Sequence, residues 1–141
     1  MVYEMRVYTL QPGKVPEFQA LIEKEALPII NKYSKLVGWW STEVGPLNEI
    51  IHVWGYNDLA ERAKVRGEAA KDPNWPPKIS EFIRKMRAEI VNAFDFVPTP
   101  TPGKMGPIFE IRYYTLKGGT LPATAARARA EKSIESRPPP R

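Results

Sequence analysis

The stretch IHVWGY places the chain's one histidine between apolar and aromatic side chains. His52, Trp54 and Tyr56 follow one another at a spacing of two, so in a β-strand they project from the same face. An imidazole titrates near neutral pH, which suits it to acid–base catalysis or haem ligation. The alternative is a buried ring that is hydrogen-bonded to a carboxylate such as Glu4 or to a tyrosine. The candidate catalytic residues are His52, Tyr8 and Tyr56, with the two phenols as hydrogen-bond donors.

Arginines supply a second chemical signal. Arg62 and Arg66 lie four residues apart, so on a helix they share one face and can hold a carboxylate or a phosphate. The alternative is pairing with nearby acidic residues in solvent. Arg6 lies in a strand, where a buried guanidinium requires a carboxylate such as Glu4 or a bound anion. The candidate ligand-binding residues are Arg6, Glu4, Trp54, Arg62, Arg66 and Trp75.

Other kinds of site find no support in the sequence. The chain has no cysteine and one histidine, and no set of His, Cys and carboxylate residues has the spacing of metal ligands. No Gly-x-Ser-x-Gly elbow and no phosphate-binding loop occur. We therefore expect no metal and no cofactor.

Composition limits the class of protein. With 141 residues, 43% of them hydrophobic, the chain has the length of one domain with a proper core. The net charge of +5 comes from residues 101–141, which hold 8 basic and 3 acidic residues, whereas residues 1–100 hold 13 of each. We expect no specific nucleic-acid binding, no membrane span and a cytoplasmic location.

The candidate residues require strands and helices to position them. Residues 2–10 alternate as a strand, and apolar spacing predicts a helix from Val15 that breaks before Pro28. Residues 36–44 and 48–56 predict an antiparallel hairpin. Asp58 and Glu61 have the spacing of a capping box, which predicts a helix running to about residue 70.

A further amphipathic helix and a fourth strand complete the predicted pattern. The helix is indicated by Ile79, Phe82, Ile83 and Met86, and the strand by residues 89–97. The order of elements predicts an α+β fold, the ferredoxin-like antiparallel sheet with helices on one face.

The face of this sheet that carries no helices indicates an assembly. We expect Met5, Val7, Ile51 and Val53 to lie under the helices. The open face then carries a polar and aromatic set, which comprises Glu4, Arg6, Tyr8, His52, Trp54 and Tyr56. Two such faces packed together would bury these side chains, which predicts a homodimeric α+β barrel.

The first strand is written twice in the chain. FEIRYYTLKGGTLP at 109–122 repeats YEMRVYTLQPGKVP at 3–16, an offset of 106 residues. We therefore predict a complete domain at 1–97, a Pro/Gly linker at 98–107 and a partial second repeat at 108–141. The last segment is expected to form a strand at 108–116 followed by a basic Ala/Arg/Pro-rich tail, as in a truncated tandem protein.

The stretches YEMRVYTLQPGKVPEF and IHVWGYNDLAERAKVRGEAAKDPNW resemble the NIPSNAP family, and the resemblance covers residues 1–97. It implies a dimeric α+β barrel related in fold to small cofactor-free monooxygenases and some haem-handling proteins. The expected function is binding of a small ligand in the barrel, with oxygenation or isomerisation of an aromatic or quinone-like substrate as the reaction class. The alternative is a non-catalytic protein-interaction module.

Overall fold

The computed structural model describes residues 1–99, 103 and 107–135. The chain divides into two compact units. The first holds Met1–Ala93, and the second holds Phe94–Thr99 together with residues from Gly103 onward. Most of the predicted linker at 98–107 and the end of the basic tail lie outside the described residues.

The first unit is built on a four-stranded antiparallel sheet. Its strands are β1 (Val2–Leu10), β2 (Lys35–Ser41), β3 (Glu49–Tyr56) and β4 (Ile83–Asn92). They lie in the order β2-β3-β1-β4, so the sequence's first strand is central and pairs with both β3 and β4. Helices follow β1 and β3, which confirms the ferredoxin-like α+β fold. The predicted hairpin is confirmed as the β2–β3 pair.

The helical segment after β1 changes its winding before Pro28, as predicted. It consists of α1 (Val15–Leu21), a π-helical turn (Ile22–Ala26) and α2 (Leu27–Ile30). The amide of Leu27 donates to the carbonyl of Ile22, one residue farther back than in an α-helix. Because proline has no amide hydrogen, a widened turn just before it lets the backbone continue without an ordinary α-helical bond at that position.

The helix after β3, α3 (Leu59–Ala69), begins at the predicted cap. The carboxylate of Asp58 accepts a hydrogen bond of 2.8 Å from the amide of Glu61, and the side chain of Glu61 accepts from the amide of Asn57. These bonds satisfy amides that the first helical turn leaves without partners. The cap therefore fixes where α3 leaves the sheet and which of its residues face β1.

The predicted helix around residues 79–86 is wrong. Residues 80–82 form a turn, and β4 begins at Ile83 and pairs with β1 along its length. The apolar residues there fit a helical spacing, but β4 reads IRKMRAEIVN and shows no clean alternation. Pairing with the free edge of β1 decides the conformation, because tertiary context overrides a short local pattern.

The predicted assignment of the two sheet faces is reversed. Glu4 lies opposite Trp54, and Arg6 lies opposite His52, so these side chains share a face. That face packs against the helices, since Tyr8 belongs to a buried cluster with Phe18 and Ile22 from the helical segment. Met5, Val7, Ile51 and Val53 are on the opposite face. The aromatic rings have more apolar surface to bury than the smaller aliphatic side chains, which explains the outcome.

The second unit has a different character. Residues 108–116, predicted as a strand, are assigned no strand or helix, and α4 (Leu121–Glu135) follows. Within this unit Phe94 and Phe96 stack with ring centroids 5.3 Å apart, and the guanidinium of Arg129 lies 5.1 Å from the Phe96 ring. In the described parts of the chain, no helix has the length and apolar character that crossing a membrane requires.

Candidate functional site

A cavity of about 750 Å³ lies beside the helix-covered face of the sheet in the first unit. Its floor is formed by β1 and β3, and its walls come from α2, α3, β4 and the segment 75–80. Of the predicted site residues, those that line it are Arg6, Tyr8, His52, Trp54, Tyr56, Arg66 and Trp75. The fold therefore brings together seven residues that are separated along the sequence.

Glu4 is the centre of an ion-pair cluster behind this cavity. Its side chain is fully buried, and Arg62 donates to both carboxylate oxygens, with an Nη2–Oε1 distance of 2.7 Å and an Nε–Oε2 distance of 3.1 Å. Arg6 donates to Oε1 at 3.1 Å, and Arg66 lies 3.6 Å from Oε2. One carboxylate thus faces three guanidiniums, which leaves a net positive charge.

The cluster determines the protonation of Glu4. Burial by itself would raise the pKa of this carboxyl, but the hydrogen bond from Arg62 and the charges of Arg6 and Arg66 outweigh burial and lower the pKa below its ordinary value. Glu4 is therefore ionised at neutral pH and joins β1 to α3. The bidentate geometry suits arginine, because its planar guanidinium matches the two oxygens of a carboxylate.

His52 lies between aromatic rings. Its ring centroid is 4.6 Å from that of Trp39 and 4.7 Å from that of Tyr8. The indole nitrogen of Trp54 donates to Nδ1 of His52 at 2.7 Å. Because an indole N–H can only donate, Nδ1 must accept, which places the proton of the neutral ring on Nε2. The expected partner was Glu4 or a tyrosine, and the observed partner is a tryptophan.

The environment keeps His52 uncharged. Burial, with the added repulsion of the Arg6 charge, lowers the pKa of His52 to about 3. Burial likewise raises the pKa values of Tyr8 and Tyr56, so both phenols stay protonated at neutral pH. The site at pH 7 therefore offers neutral hydrogen-bond donors next to fixed positive charges.

Two buried nitrogens at the site have no hydrogen-bond partner within the described residues: Nε2 of His52 and Nε of Arg6. Leaving a buried donor unsatisfied costs about 1–3 kcal/mol. Both atoms belong to residues that line the cavity. A bound acceptor that reached either atom would recover that cost, which makes Arg6 and His52 candidate ligand contacts.

The cavity walls are cationic as well as apolar. Among the described side chains, the lining includes Arg6, Arg66, Lys78 and Arg84, and it includes no aspartate or glutamate. Trp54 and Trp75 contribute flat apolar surface. Lys85 also borders the cavity, but it pairs with Thr9, so its side chain projects from the opposite face of the sheet.

The predicted site residues have distinct positions. Arg62 and Arg66 both pair with the buried carboxylate of Glu4. They therefore do not pair with exposed acids in solvent, and they do not together form a clamp for a bound anion. Trp75 packs against both core clusters of the first unit and borders the cavity. Lys78 and Arg84 were not predicted. Their position depends on the loop after Trp75 and on the start of β4 at Ile83, where the apolar spacing predicted a helix.

Within the described residues, no group of three or more His, Cys, Asp or Glu side chains is placed to hold a metal ion.

A sequence model of the NIPSNAP family matches residues 3–98, which span β1 to the end of β4 and beyond. The chain belongs to the NIPSNAP family. The first unit is accordingly a NIPSNAP domain, and the cavity and the Glu4 cluster both lie inside it.

Curated relatives are longer than this chain. It is 35% identical over 123 residues to human NipSnap homolog 3A, an alignment that covers 83% of this chain and 49% of the human protein. The Dictyostelium discoideum NipSnap homolog is 34% identical over 80 residues, or 57% of this chain and 35% of that protein. The chain spans about half the length of the human relative and about a third of the length of the Dictyostelium relative.

Solved structures of similar domains are shorter. An uncharacterised NIPSNAP domain protein from Burkholderia xenovorans is 35% identical with a TM-score of 0.68, covering 70% of this chain and 100% of that one. A protein from Agrobacterium tumefaciens gives 35% identity and a TM-score of 0.67 over 70% and 98% of the two chains. A candidate antibiotic biosynthesis monooxygenase from Nitrosomonas europaea, at 12% identity and a TM-score of 0.53, shares the fold alone over 66% and 98%.

Proposed function

We propose that the NIPSNAP domain of this chain binds a small, flat, partly apolar molecule that presents an anionic or carbonyl oxygen to Arg6 and His52. The supporting observation is the pair of buried, unsatisfied nitrogens on these two residues at the border of a cavity of about 750 Å³. Cavities of this size are typical of small-molecule sites.

The aromatic walls define the body of the ligand. Trp54 and Trp75 offer flat surfaces, and Tyr8 and Tyr56 add rings whose hydroxyl groups stay protonated. An aromatic or quinone-like molecule would gain apolar contact with the rings and hydrogen bonds at its oxygens. The positive charge of the Arg6 and Arg66 side chains favours an anionic form of such a ligand.

The reaction class that suits this arrangement is one in which negative charge develops on a ligand oxygen, as in cofactor-free oxygenation or isomerisation. Neutral donors and fixed cations stabilise such an oxyanion without having to reorganise. A pKa of about 3 makes His52 a hydrogen-bond donor at pH 7 and a poor general base. Its proposed role is therefore oxyanion stabilisation by Nε2–H, together with Tyr8 and Tyr56.

A non-catalytic role remains the second candidate, and a specific observation favours it. The Glu4–Arg62 pair is bidentate and joins β1 to α3, which is a structural task. In that role the domain would serve as an interaction module, and the cluster would stabilise the fold. Loss of fold stability in a His52→Ala variant, with no change in ligand binding, would favour this second candidate.

Ligand binding is tested with 2-naphthoate as the probe, by calorimetric titration of the full chain. We expect Arg6→Gln and His52→Phe each to weaken binding about tenfold, which corresponds to about 1.4 kcal/mol. Lys35→Gln is the control, because Lys35 is exposed and does not border the cavity. Circular dichroism checks that each variant is folded. Equal affinity in all four proteins, or no binding by the wild type, would contradict the proposal.

We also propose that the chain forms a homodimer through the sheet face opposite the helices. That face carries Val7, Ile51 and Val53, which are apolar, and the last two are only half-buried in one chain. Native mass spectrometry should show a species at twice the chain mass of 16.0 kDa, and Val53→Asp should convert it to monomer. A wild type that is monomeric at micromolar concentration would contradict the dimer.

A further inference from the structure

The cavity has a second group of cations at its mouth. Lys78 and Arg84 border it, and both residues are exposed. Neither side chain has an ion pair or hydrogen bond with another described residue. We call these two residues the mouth cations. The acid nearest to them in sequence, Glu81, does not border the cavity.

Arg84 is separated along the sheet from Arg6, whose side chain is 18% exposed. Arg84 lies between Ile83, which pairs with Leu10, and Lys85, which pairs with Thr9. Arg6 is three to four residues back along β1, which corresponds to roughly 10–13 Å at about 3.3 Å per residue. The cavity therefore carries positive charge both at Arg6 and at Arg84, on residues that are well separated along the sheet.

Apolar surface lies along the same cavity. Trp75, Ile79 and Ile83 border it together with the mouth cations. A ligand with one acidic group would satisfy only one of the two charged regions. The described residues that line the cavity include no carboxylate. The positive charges of the second region would therefore have no negative partner within the cavity.

We propose that the ligand is an elongated aromatic molecule with two anionic groups. One group is held by Arg6 and Arg66, and the second, a carboxylate or a phosphate, is held by Lys78 and Arg84. The aromatic body between them contacts the apolar side chains of the wall. This inference rests on the proposed function of the cavity and adds to it the second acidic group, and hence the substrate class.

The test compares 2-naphthoate with 2,6-naphthalenedicarboxylate, which has the same ring system and one further carboxylate. Calorimetric titration of the full wild-type chain at low ionic strength should give about tenfold tighter binding of the dicarboxylate. In the double variant Lys78→Gln/Arg84→Gln the two affinities should fall within twofold of each other. The affinity for 2-naphthoate should fall by no more than about threefold, because its carboxylate is bound at Arg6 and the two removed charges act on it only from a distance.

The control removes the same amount of charge elsewhere. Lys24→Gln/Lys35→Gln alters two exposed lysines that do not border the cavity and should keep the tenfold preference. Equal binding of the two probes by the wild type, or a preference that survives in the mouth variant, would overturn the inference while leaving the proposed function in place. Failure of the wild type to bind either probe would overturn both.

Discussion

The two copies of the repeated segment have similar sequences and different surroundings. In β1, the Glu4 side chain is fully buried and that of Arg6 is 18% exposed. In the second copy, the side chains of Glu110 and Arg112 are 67% and 64% exposed. Both copies form the local ion pair, at 3.1 Å in the first and 2.7 Å in the second. The Glu-x-Arg pairing is therefore local, and what differs is the rest of the environment.

The difference shows what makes β1 a strand. Its pairing with β3 and β4 supplies the ladder on both sides, and α3 supplies Arg62 to hold Glu4. Residues 117–135 contain a turn and α4 and provide no further strand. An alternating sequence specifies which side chains share a face, but strand pairing decides whether the strand forms.

Replacing the equivalent tyrosines should give the largest contrast between the two copies. Tyr8 is 7% exposed in the core, whereas Tyr114 is 74% exposed. Tyr8→Ala should destabilise the first unit by about 3–5 kcal/mol, because it removes a buried ring, and Tyr114→Ala should change stability by less than about 0.5 kcal/mol. Urea unfolding followed by tryptophan fluorescence measures both. Equal effects would show that the two environments do not differ as described.

Removing the equivalent carboxylates should give the next largest contrast. Glu4→Gln keeps the side-chain size but leaves Arg6 and Arg62 without their buried counter-charge, which should cost about 3 kcal/mol. Glu110→Gln disrupts an exposed pair and should cost less than about 0.5 kcal/mol. The same urea titration applies. A Glu4→Gln protein as stable as the wild type would mean that the cluster does not join β1 to α3.

The smallest predicted effect concerns pH and depends on His52, which lies in β3 opposite Arg6 of the first copy. The chain has one histidine, so the second copy has no equivalent neighbour. The folded-state pKa of His52 is about 3, below its ordinary value of 6.5, so between these pH values the unfolded chain binds more protons. Stability should therefore fall as pH decreases below 6.5, by about 2 kcal/mol at pH 5.

His52→Gln provides the comparison for this pH effect. Its stability should lose less than that of the wild type between pH 7 and 5, and the difference isolates His52 because the chain has one histidine. Glu4, whose folded-state pKa is lowered, should add a loss of stability in both proteins at lower pH, below its ordinary value of 4.5. Parallel pH profiles from 7 to 5 would contradict the burial of a neutral imidazole.

Much of the fold could be predicted from the sequence, because strong local signals agreed with tertiary structure. The hairpin turn, the break before Pro28 and the Asp58–Glu61 cap each have a direct physical cause in their own residues. The fourth strand was placed too late, since Ile83 and Met86 fit both a helix and a strand. Only the available edge of β1 distinguishes these alternatives.

The sequence could predict which side chains share a face of the sheet, but it could not predict the geometry of the candidate site. Alternation correctly grouped His52, Trp54 and Tyr56 with Glu4 and Arg6 on one face, but it could not show which face the helices cover. The hydrogen bond from Trp54 to His52 joins residues two apart in sequence and depends on rotamers that no pattern reveals. The convergence of Arg62 on Glu4 depends on how α3 crosses the sheet, which only the packed structure specifies.

The most direct test of the central claim is a long-range proton–nitrogen NMR spectrum of His52 at pH 7, recorded without and with saturating 2-naphthoate. The single histidine makes the assignment unambiguous. The structure predicts a neutral ring protonated on Nε2, with Nδ1 accepting from Trp54, and an Nε2 resonance that moves when the probe binds. A ring protonated on Nδ1, a charged ring, or an Nε2 resonance that stays in place would contradict a ligand site at His52.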